Sequence, residues 1–383
     1  MAEPAPEPEP PADWGELDLE QRYFAAYGSW WKIQREMLAD GPRMRDYAAA
    51  IDHHADFLRG RTVLDVGAGT GVLSMLCAQR ARPARVIAIE ASEMAAVCRE
   101  LVAAQGLEGV ITVVQARVED VAELEAAPHG VDAIISEWMG TGLVGEGMLD
   151  SVLCARDRWL TAGGLMLPSS ARLFLCGWQH AATAELLRLG LGRAASALAE
   201  RLLAEWRGRP LIAALPEHCV CSGSQLVATL DLTKVTTAEL DLIMAEESGR
   251  VLTVEPPGEA DEVVWSGVAL WWETGFGPSP VSRHDIAGIW VAFFSRCQRY
   301  RCRQERRGEV VLTTAPGREP THWGQLLCCD DAAPRLLRRG ESVAVGRLLM
   351  QRDAEFRRNY HIQVAETVFS LAEATQADGA PAG

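Results

Sequence analysis

The run Val63-Leu-Asp-Val-Gly67-Ala-Gly69-Thr-Gly71 restricts the possible folds of this chain more than any other feature. A strand-like apolar stretch, Thr62 to Val66, enters three alternate glycines, and a helical pattern leaves them from Val72 to Arg80. Glycine lets the backbone approach a ligand, and the first turn of a helix offers free N–H groups. The alternation continues with a strand at Val86 to Ile89, a helix at Ser92 to Gln105, and strands at Val110 to Val114 and Val131 to Ser136. Strands alternating with helices predict a parallel, doubly wound α/β sheet.

The glycine turn does not fit a nicotinamide fingerprint, because Val72 stands where a third spaced glycine is needed. Asp65 precedes the first glycine, and Glu90 closes the second strand, where a carboxylate can accept from both hydroxyls of a ribose. That combination points to S-adenosylmethionine as cofactor.

A second feature lies after the strand that ends at Ser136. The loop Ser136-Glu-Trp-Met-Gly-Thr-Gly-Leu-Val-Gly-Glu146 carries Glu137 and Glu146 around Trp138 and Met139, unlike a polar surface loop. Two carboxylates on one short loop match a planar, forked cation, and guanidinium is the obvious one. Composition agrees in sign. The chain has 37 basic and 52 acidic residues, a net charge of −15, which disfavours a nucleic-acid partner held by phosphate contacts and is compatible with a basic substrate.

The 10 cysteines include no C-x-x-C pair, and neither Cys219 with Cys221 nor Cys328 with Cys329 has zinc spacing, so no metal site is expected. Met1 to Pro11 is acidic and proline-rich and reads as neither a secretory leader nor an anchor, and no run is long enough to span a bilayer, so no membrane partner is expected. The expected compartment is the reducing cytoplasm and nucleus.

Residues 1–18 are expected to be disordered. Helices are predicted from Leu19 to Trp31, Lys32 to Leu38 and Arg43 to Leu58, so that residues 19–167 form the cofactor domain. From residue 168 to 372 the pattern changes to β-like runs: Arg172 to Cys176, Gln225 to Leu232, Val263 to Trp272, Gly288 to Phe294, Val310 to Thr314, Ser342 to Leu349 and Tyr360 to Val364. These predict a sandwich or barrel. Ala184 to Arg207 interrupts them with an apolar helical stripe, read either as internal packing or as a dimer contact. The arginines at 301–307 and 335–339 read as surface charge, and residues 373–383 as a flexible tail.

Five separated blocks, in order, resemble the type I protein arginine N-methyltransferases: Tyr23-Phe-Ala-Ala-Tyr27, Asp65 to Gly71, Ile89-Glu-Ala-Ser92, Ser136 to Gly140 with Glu146, and Thr321-His-Trp323. The resemblance covers about residues 20–365. It implies a Rossmann-like S-adenosylmethionine-dependent domain, a β-barrel domain with a helical dimerisation arm at about 184–210, a homodimer, and arginine-containing protein substrates such as histone tails or Arg/Gly-rich proteins. It implies that Glu137 and Glu146 grip the substrate guanidinium and that His322 pairs with Asp40. For the cofactor it implies Arg43 at the carboxylate, Glu90 at the ribose, Glu119 at the adenine, Gly67 and Gly69 in the turn, and Phe24 and Tyr27 on a covering helix. Met37 and Met148 would shape the pocket so that a second methyl lands on the same nitrogen, giving asymmetric dimethylarginine. Three positions depart from the family pattern: Gln34 where histidine is usual, Thr141 where tyrosine is common, and Gly324 where lysine is frequent. A catalytically weak scaffold of the same fold and a small-molecule methyltransferase are the competing readings. The paired glutamates argue against the first. The β-rich second half and the paired glutamates argue against the second.

Overall fold

Val63, Leu64 and Val66 carry the strand that the glycine turn requires, and all three are buried. Each such side chain stabilises the core by about 1.5–3 kcal/mol. The computed structural model describes residues 19–29, 31–204, 206–244, 250–277, 310–329, 334–346, 348–364, 367–371 and 375–376. The expected disordered segment, the run Gly288 to Phe294 and the arginines at 301–307 lie outside them. The chain divides into two units, Met1–Trp138 with Met148–Pro168, and Met139–Gly147 with Ser169–Gly383. This division differs from a single cut at 167, because most of the glutamate loop groups with the second unit.

The first unit opens with helices α1 (Leu19–Ser29), α2 (Trp31–Ala39), α3 (Gly41–His53) and α4 (Ala55–Leu58). Strands and helices then alternate: β1 (Thr62–Val66), α5 (Val72–Arg80), β2 (Arg85–Glu90), α6 (Met94–Ala104), β3 (Ile111–Gln115), β4 (Val131–Ile135), α7 (Leu149–Trp159) and β5 (Leu160–Leu167). The strands form one sheet in the order β3-β2-β1-β4-β5, with every pair parallel. The order reverses between β1 and β4, and the crevice at such a reversal is where open parallel sheets bind ligands. α7 and β5 were not predicted. The expected single helix Arg43 to Leu58 is two helices parted at His54, and Asp40 caps the first by accepting from the Arg43 N–H at 2.9 Å.

The second unit is built from predominantly antiparallel sheets. Its central strand, Gly267–Gly275, is buried throughout and pairs over its whole length with β6 (Ser170–Trp178). Outside these lie Gln325–Cys329 and Gln225–Asp231. A four-stranded sheet contains Leu242–Met244, Leu348–Arg352, Tyr360–Val364 and Thr367–Ser370. The expected strand Val263 to Trp272 is two strands, Glu262–Trp265 and Gly267–Gly275, which belong to different sheets. Gly267 makes that corner possible: its φ is 143°, and a Cβ there would lie 2.0 Å from the Cys328 carbonyl oxygen. Ser342 to Leu349 likewise divides, into Ser342–Gly346 and Leu348–Arg352, each with its own sheet.

Two further expectations are corrected, and a third segment gains a strand. The single helix Ala184 to Arg207 is a pair, α8 (Ala181–Arg188) and α9 (Gly192–Ala204), broken at Gly190. The inner stripe of the pair packs Ala195, Ala199, Leu186 and Leu187 on Val264, while Leu189 and Leu191 at the turn are 57% and 48% exposed. Arg335–Arg338 forms a strand paired with Glu262–Trp265, while Arg338 keeps the exposure expected of surface charge. In the tail expected to be flexible, Thr375–Gln376 pairs in parallel with Leu211–Ile212. Periodicity missed both because the strands are short and earn their place by backbone pairing. Among the described residues no helix is long and apolar enough to cross a membrane.

Candidate functional site

In the first unit the polar residues converge on the carboxyl ends of β1, β2 and β4. Gly67 and Gly69 have φ values of 70° and 55°, the left-handed region. A Cβ on Gly67 would meet the Met148 methyl at 2.0 Å, so the thioether lies directly against the turn. Glu90 braces the same turn: one carboxylate oxygen accepts from Gly69 N–H at 2.8 Å and the other from Ser92 N–H at 2.8 Å. Each oxygen keeps a lone pair for an external hydroxyl. Asp65 is fully buried, and one of its oxygens accepts from the Ser74 hydroxyl at 2.6 Å. Burial raises its carboxyl from 3.8 to about 7.

Two buried polar atoms here have no hydrogen-bond partner in the protein: Asp65 Oδ1 and Gln34 Nε2. Gln34 is 2% exposed, and its Oε1 lies 3.6 Å from where a Gly69 Cβ would stand. Buried polar atoms are almost always satisfied. Orphans of this kind beside a glycine turn fit a bound group that has both donors and acceptors, as S-adenosylmethionine has in its amino acid and ribose parts.

At the end of β4, Ser136 is locked from three sides. Its N–H donates to Leu167 O at 3.0 Å, its hydroxyl to Val66 O at 2.8 Å, and its carbonyl accepts from the Tyr47 hydroxyl at 2.8 Å. Burial pushes the Tyr47 phenol well above its ordinary value, so it remains a donor. The next residue, Glu137, accepts from Arg43 Nε at 3.0 Å and pairs with Arg43 Nη2 at 3.0 Å, both on Oε2. Arg43 Nη1 donates to Met37 O at 3.1 Å, which fixes the guanidinium plane. This buried pair joins positions far apart in sequence, and nothing in their spacing announced it. It leaves Glu137 Oε1 for another donor.

Glu119 lies in the 3-10 turn Val118–Asp120 and accepts from the Ser151 hydroxyl at 2.6 Å. Neighbouring Arg117 pairs with Glu20 at 2.7 Å and sits 5.9 Å from the Phe24 ring, which docks α1 on this turn. Tyr27 belongs to α1, but its side chain lies outside the described residues.

The rest of the glutamate loop is in the second unit. Gly140 and Leu143 form a β-bridge, and Leu143 and Glu146 have φ values of 82° and 71°, unusual for residues with a side chain. Glu146 is exposed. Its carbonyl accepts from Arg358 Nη1 at 3.0 Å. His322 lies on a turn beside Trp323, with ring centroids 3.9 Å apart, and Trp323 Nε1 donates to Met139 O at 2.8 Å. The turn carrying His322 is thereby tied to the loop carrying Glu146. Among the described residues no cluster could hold a metal ion.

Sequence reasoning thus named Arg43, Glu137, Glu90, Gly67 and Met148, which the first unit brings together. It did not single out Tyr47 or Arg358, and it quoted Ser136 and Trp323 within motifs without giving either a role. Tyr47 and Ser136 act through single hydroxyl or backbone bonds that leave no local pattern.

Residues 63–164 match the family described as "Methyltransferase domain". The chain is 38% identical over 310 residues to "Probable protein arginine N-methyltransferase 6.1" of Oryza sativa subsp. indica, covering 80% of this chain and 77% of that protein. It is 32% identical over 372 residues to human protein arginine N-methyltransferase 2, covering 93% and 74%. Among solved structures, Arabidopsis thaliana protein arginine methyltransferase 10 superposes with a TM-score of 0.70 at 27% identity, over 91% of this chain and 100% of that one. Trypanosoma brucei protein arginine methyltransferase 1, solved as an enzyme–prozyme heterotetramer with AdoHcy, gives 0.66 at 25% identity, over 90% and 99%. With the glycine turn, the Glu90 carboxylate that braces it and the anchored Glu137 already in place, these likenesses carry the conclusion: the chain belongs to the protein arginine N-methyltransferase family.

Proposed function

We propose that this protein is a type I enzyme that places one and then two methyl groups on the same terminal nitrogen of arginine in protein substrates. The observation that carries the reading is Glu137: a buried carboxylate, held by Arg43 through one oxygen, with the other oxygen left to accept from a second guanidinium. Arginine is a poor nucleophile because its charge is delocalised and its pKa exceeds about 12. Glu137 and Glu146, on one loop, would hold the substrate guanidinium through its forked donors and draw positive charge toward the nitrogens they contact. The remaining terminal nitrogen then has more lone-pair character. S-adenosylmethionine, when bound, supplies an electrophilic methyl carbon.

Gly67 and Gly69 let the backbone approach that cofactor, Glu90 takes its ribose hydroxyls, and Gln34 and Asp65 offer their unpartnered atoms. Arg43 and Glu119 serve its carboxylate and adenine ends, with Phe24 and Tyr27 on the helix that covers it. Orientation and electrostatics then supply most of the acceleration. Glu146, or His322 with Asp40, is the acceptor for the proton lost after transfer.

Substrates in this reading are histone tails and Arg/Gly-rich proteins, the working unit is a homodimer built through α8 and α9, and the compartments are cytoplasm and nucleus. The exposed leucines at the α8–α9 turn support the dimer. The test is incubation with methyl-labelled cofactor and an Arg-Gly-rich peptide or histone tail, followed by amino-acid analysis. Monomethyl- and asymmetric dimethylarginine are expected. Symmetric dimethylarginine would reject the type I assignment, and cofactor binding without transfer would reject the enzyme in favour of a scaffold.

A further inference from the structure

The backbone of Glu146 has the unfavourable φ of 71°. A left-handed conformation at a residue with a Cβ persists only where the surroundings impose it. The second unit supplies such surroundings in the turn Asp353–Asn359, which joins the paired strands Leu348–Arg352 and Tyr360–Val364.

This turn is braced along its length. One oxygen of Asp353 accepts from the N–H groups of Glu355 at 2.8 Å and Phe356 at 2.9 Å, and the other meets His361 Nε2 at 2.8 Å. The Asp353 and Asn359 backbones are bonded at 3.0 Å, and Asn359 Nδ2 donates to the Ser370 hydroxyl at 3.1 Å. Arg357 points the other way, to Asp241 at 2.9 Å. Arg358 is left facing the glutamate loop. Its Nη1 donates to the Glu146 carbonyl at 3.0 Å. Its backbone is close enough that a Cβ on Gly147 would lie 3.0 Å from Arg358 Cα and 3.1 Å from Arg357 O. One hydrogen bond and one backbone contact therefore hold the two residues that set the direction of the Glu146 side chain.

We infer that Arg358 is a positioning residue for the methyl-transfer reaction: anchored by the Asp353–Asn359 turn, it holds Glu146 in the left-handed conformation that aims its carboxylate at the substrate guanidinium. The inference rests on the role proposed above for Glu146. Arg358 does not touch substrate in this scheme. Its effect is on alignment, where a displacement of about 1 Å can cost roughly a hundredfold in rate.

The experiment compares Arg358→Ala, Arg358→Lys and Arg357→Ala as full-length proteins. Measurements are turnover on an Arg-Gly-rich peptide, AdoHcy affinity by calorimetry, thermal unfolding, and a crystal structure of Arg358→Ala. Arg358→Ala is expected to lower kcat by about 10- to 100-fold while AdoHcy affinity stays within twofold and the unfolding midpoint stays close to that of the parent. Arg358→Lys, which keeps a donor, is expected to recover part of kcat, and Arg357→Ala to stay within twofold. The crystal structure should show Glu146 released from its positive φ. Parental kcat in Arg358→Ala, or an unchanged Glu146 backbone in its crystal structure, overturns the inference. So does a fall in kcat matched by equal losses in AdoHcy affinity and unfolding midpoint. The backbone readout stands apart from turnover: an inactive parent protein would reject the proposed function, and the crystal structure would still decide whether Arg358 sets Glu146.

Discussion

The two ends of the glutamate loop are held by opposite means. Glu137 is fixed through its side chain, on which a buried arginine places two donors. Glu146 is exposed and fixed through its backbone, by a strained φ and a hydrogen bond to its carbonyl. A buried ion pair holds a carboxylate rigid but fails badly when one partner is lost, because the other is left as an uncompensated charge. A backbone clamp fixes the direction in which a side chain leaves the chain, at the cost of local strain. One loop thus carries two carboxylates fixed by different physics, one through its side chain and one through its backbone.

The sharpest way to break this contrast is to remove Arg43. With side chains only 6% and 9% exposed, Arg43→Ala leaves Glu137 buried and unpaired, and should cost about 3–5 kcal/mol in urea unfolding and abolish methyl transfer. Glu146→Ala should leave stability nearly unchanged. Equal losses in the two variants would erase the distinction. Glu137→Gln keeps an acceptor for Arg43 and so should fold, bind AdoHcy and fail in transfer. Normal turnover in that variant removes Glu137 from its role.

A smaller effect concerns Asp65, behind the same turn. Its carboxyl is raised by burial from 3.8 to about 7, so between these values the native state holds a proton that the unfolded chain has released. This contribution to stability is flat below about pH 4 and falls as pH rises toward 7. Asp65→Asn should remove that slope, and urea midpoints at pH 5 and pH 7.5 in both proteins would check it. A slope unchanged by the substitution would assign it to other groups.

Next in size is Gly67→Ala. Its φ of 70° and the Met148 methyl at 2.0 Å from the added Cβ predict a loss of about 1–3 kcal/mol and weaker AdoHcy binding. Paired with Met148→Ala, which removes the obstructing methyl, part of the stability loss should return, read as coupling in a double-mutant cycle. The smallest effect, and the one that most sharpens the comparison, is Glu146→Gly. Glycine accepts the left-handed conformation, so stability should rise by about 0.5–1 kcal/mol while transfer is lost. A destabilised Glu146→Gly would show that the residue is not strained.

The first unit was largely legible because each of its elements has a local signature. Strand, glycine turn and helix follow one another in the chain, and β1 and α5 fall where the pattern put them. The second unit was legible only in part. Glu262–Trp265 and Gly267–Gly275 form one apolar run in sequence, yet they pair with different partners, a division that depends on strands distant in the chain. Short strands such as Leu211–Ala213 and Arg335–Arg338 exist through their neighbours and have little pattern of their own.

By itself the sequence determined the alternating α/β half, the glycine turn, Glu90 at the end of its strand and the pair of glutamates on one loop, all of which arise from chemistry within a few consecutive residues. Tertiary structure alone decided that Arg43 belongs to Glu137, that Tyr47 closes on Ser136, and that Arg358 reaches the carbonyl of Glu146. Those bonds join residues that only folding brings within about 3 Å, and a hydrogen bond formed at that range leaves no periodicity or spacing in the chain from which to read it.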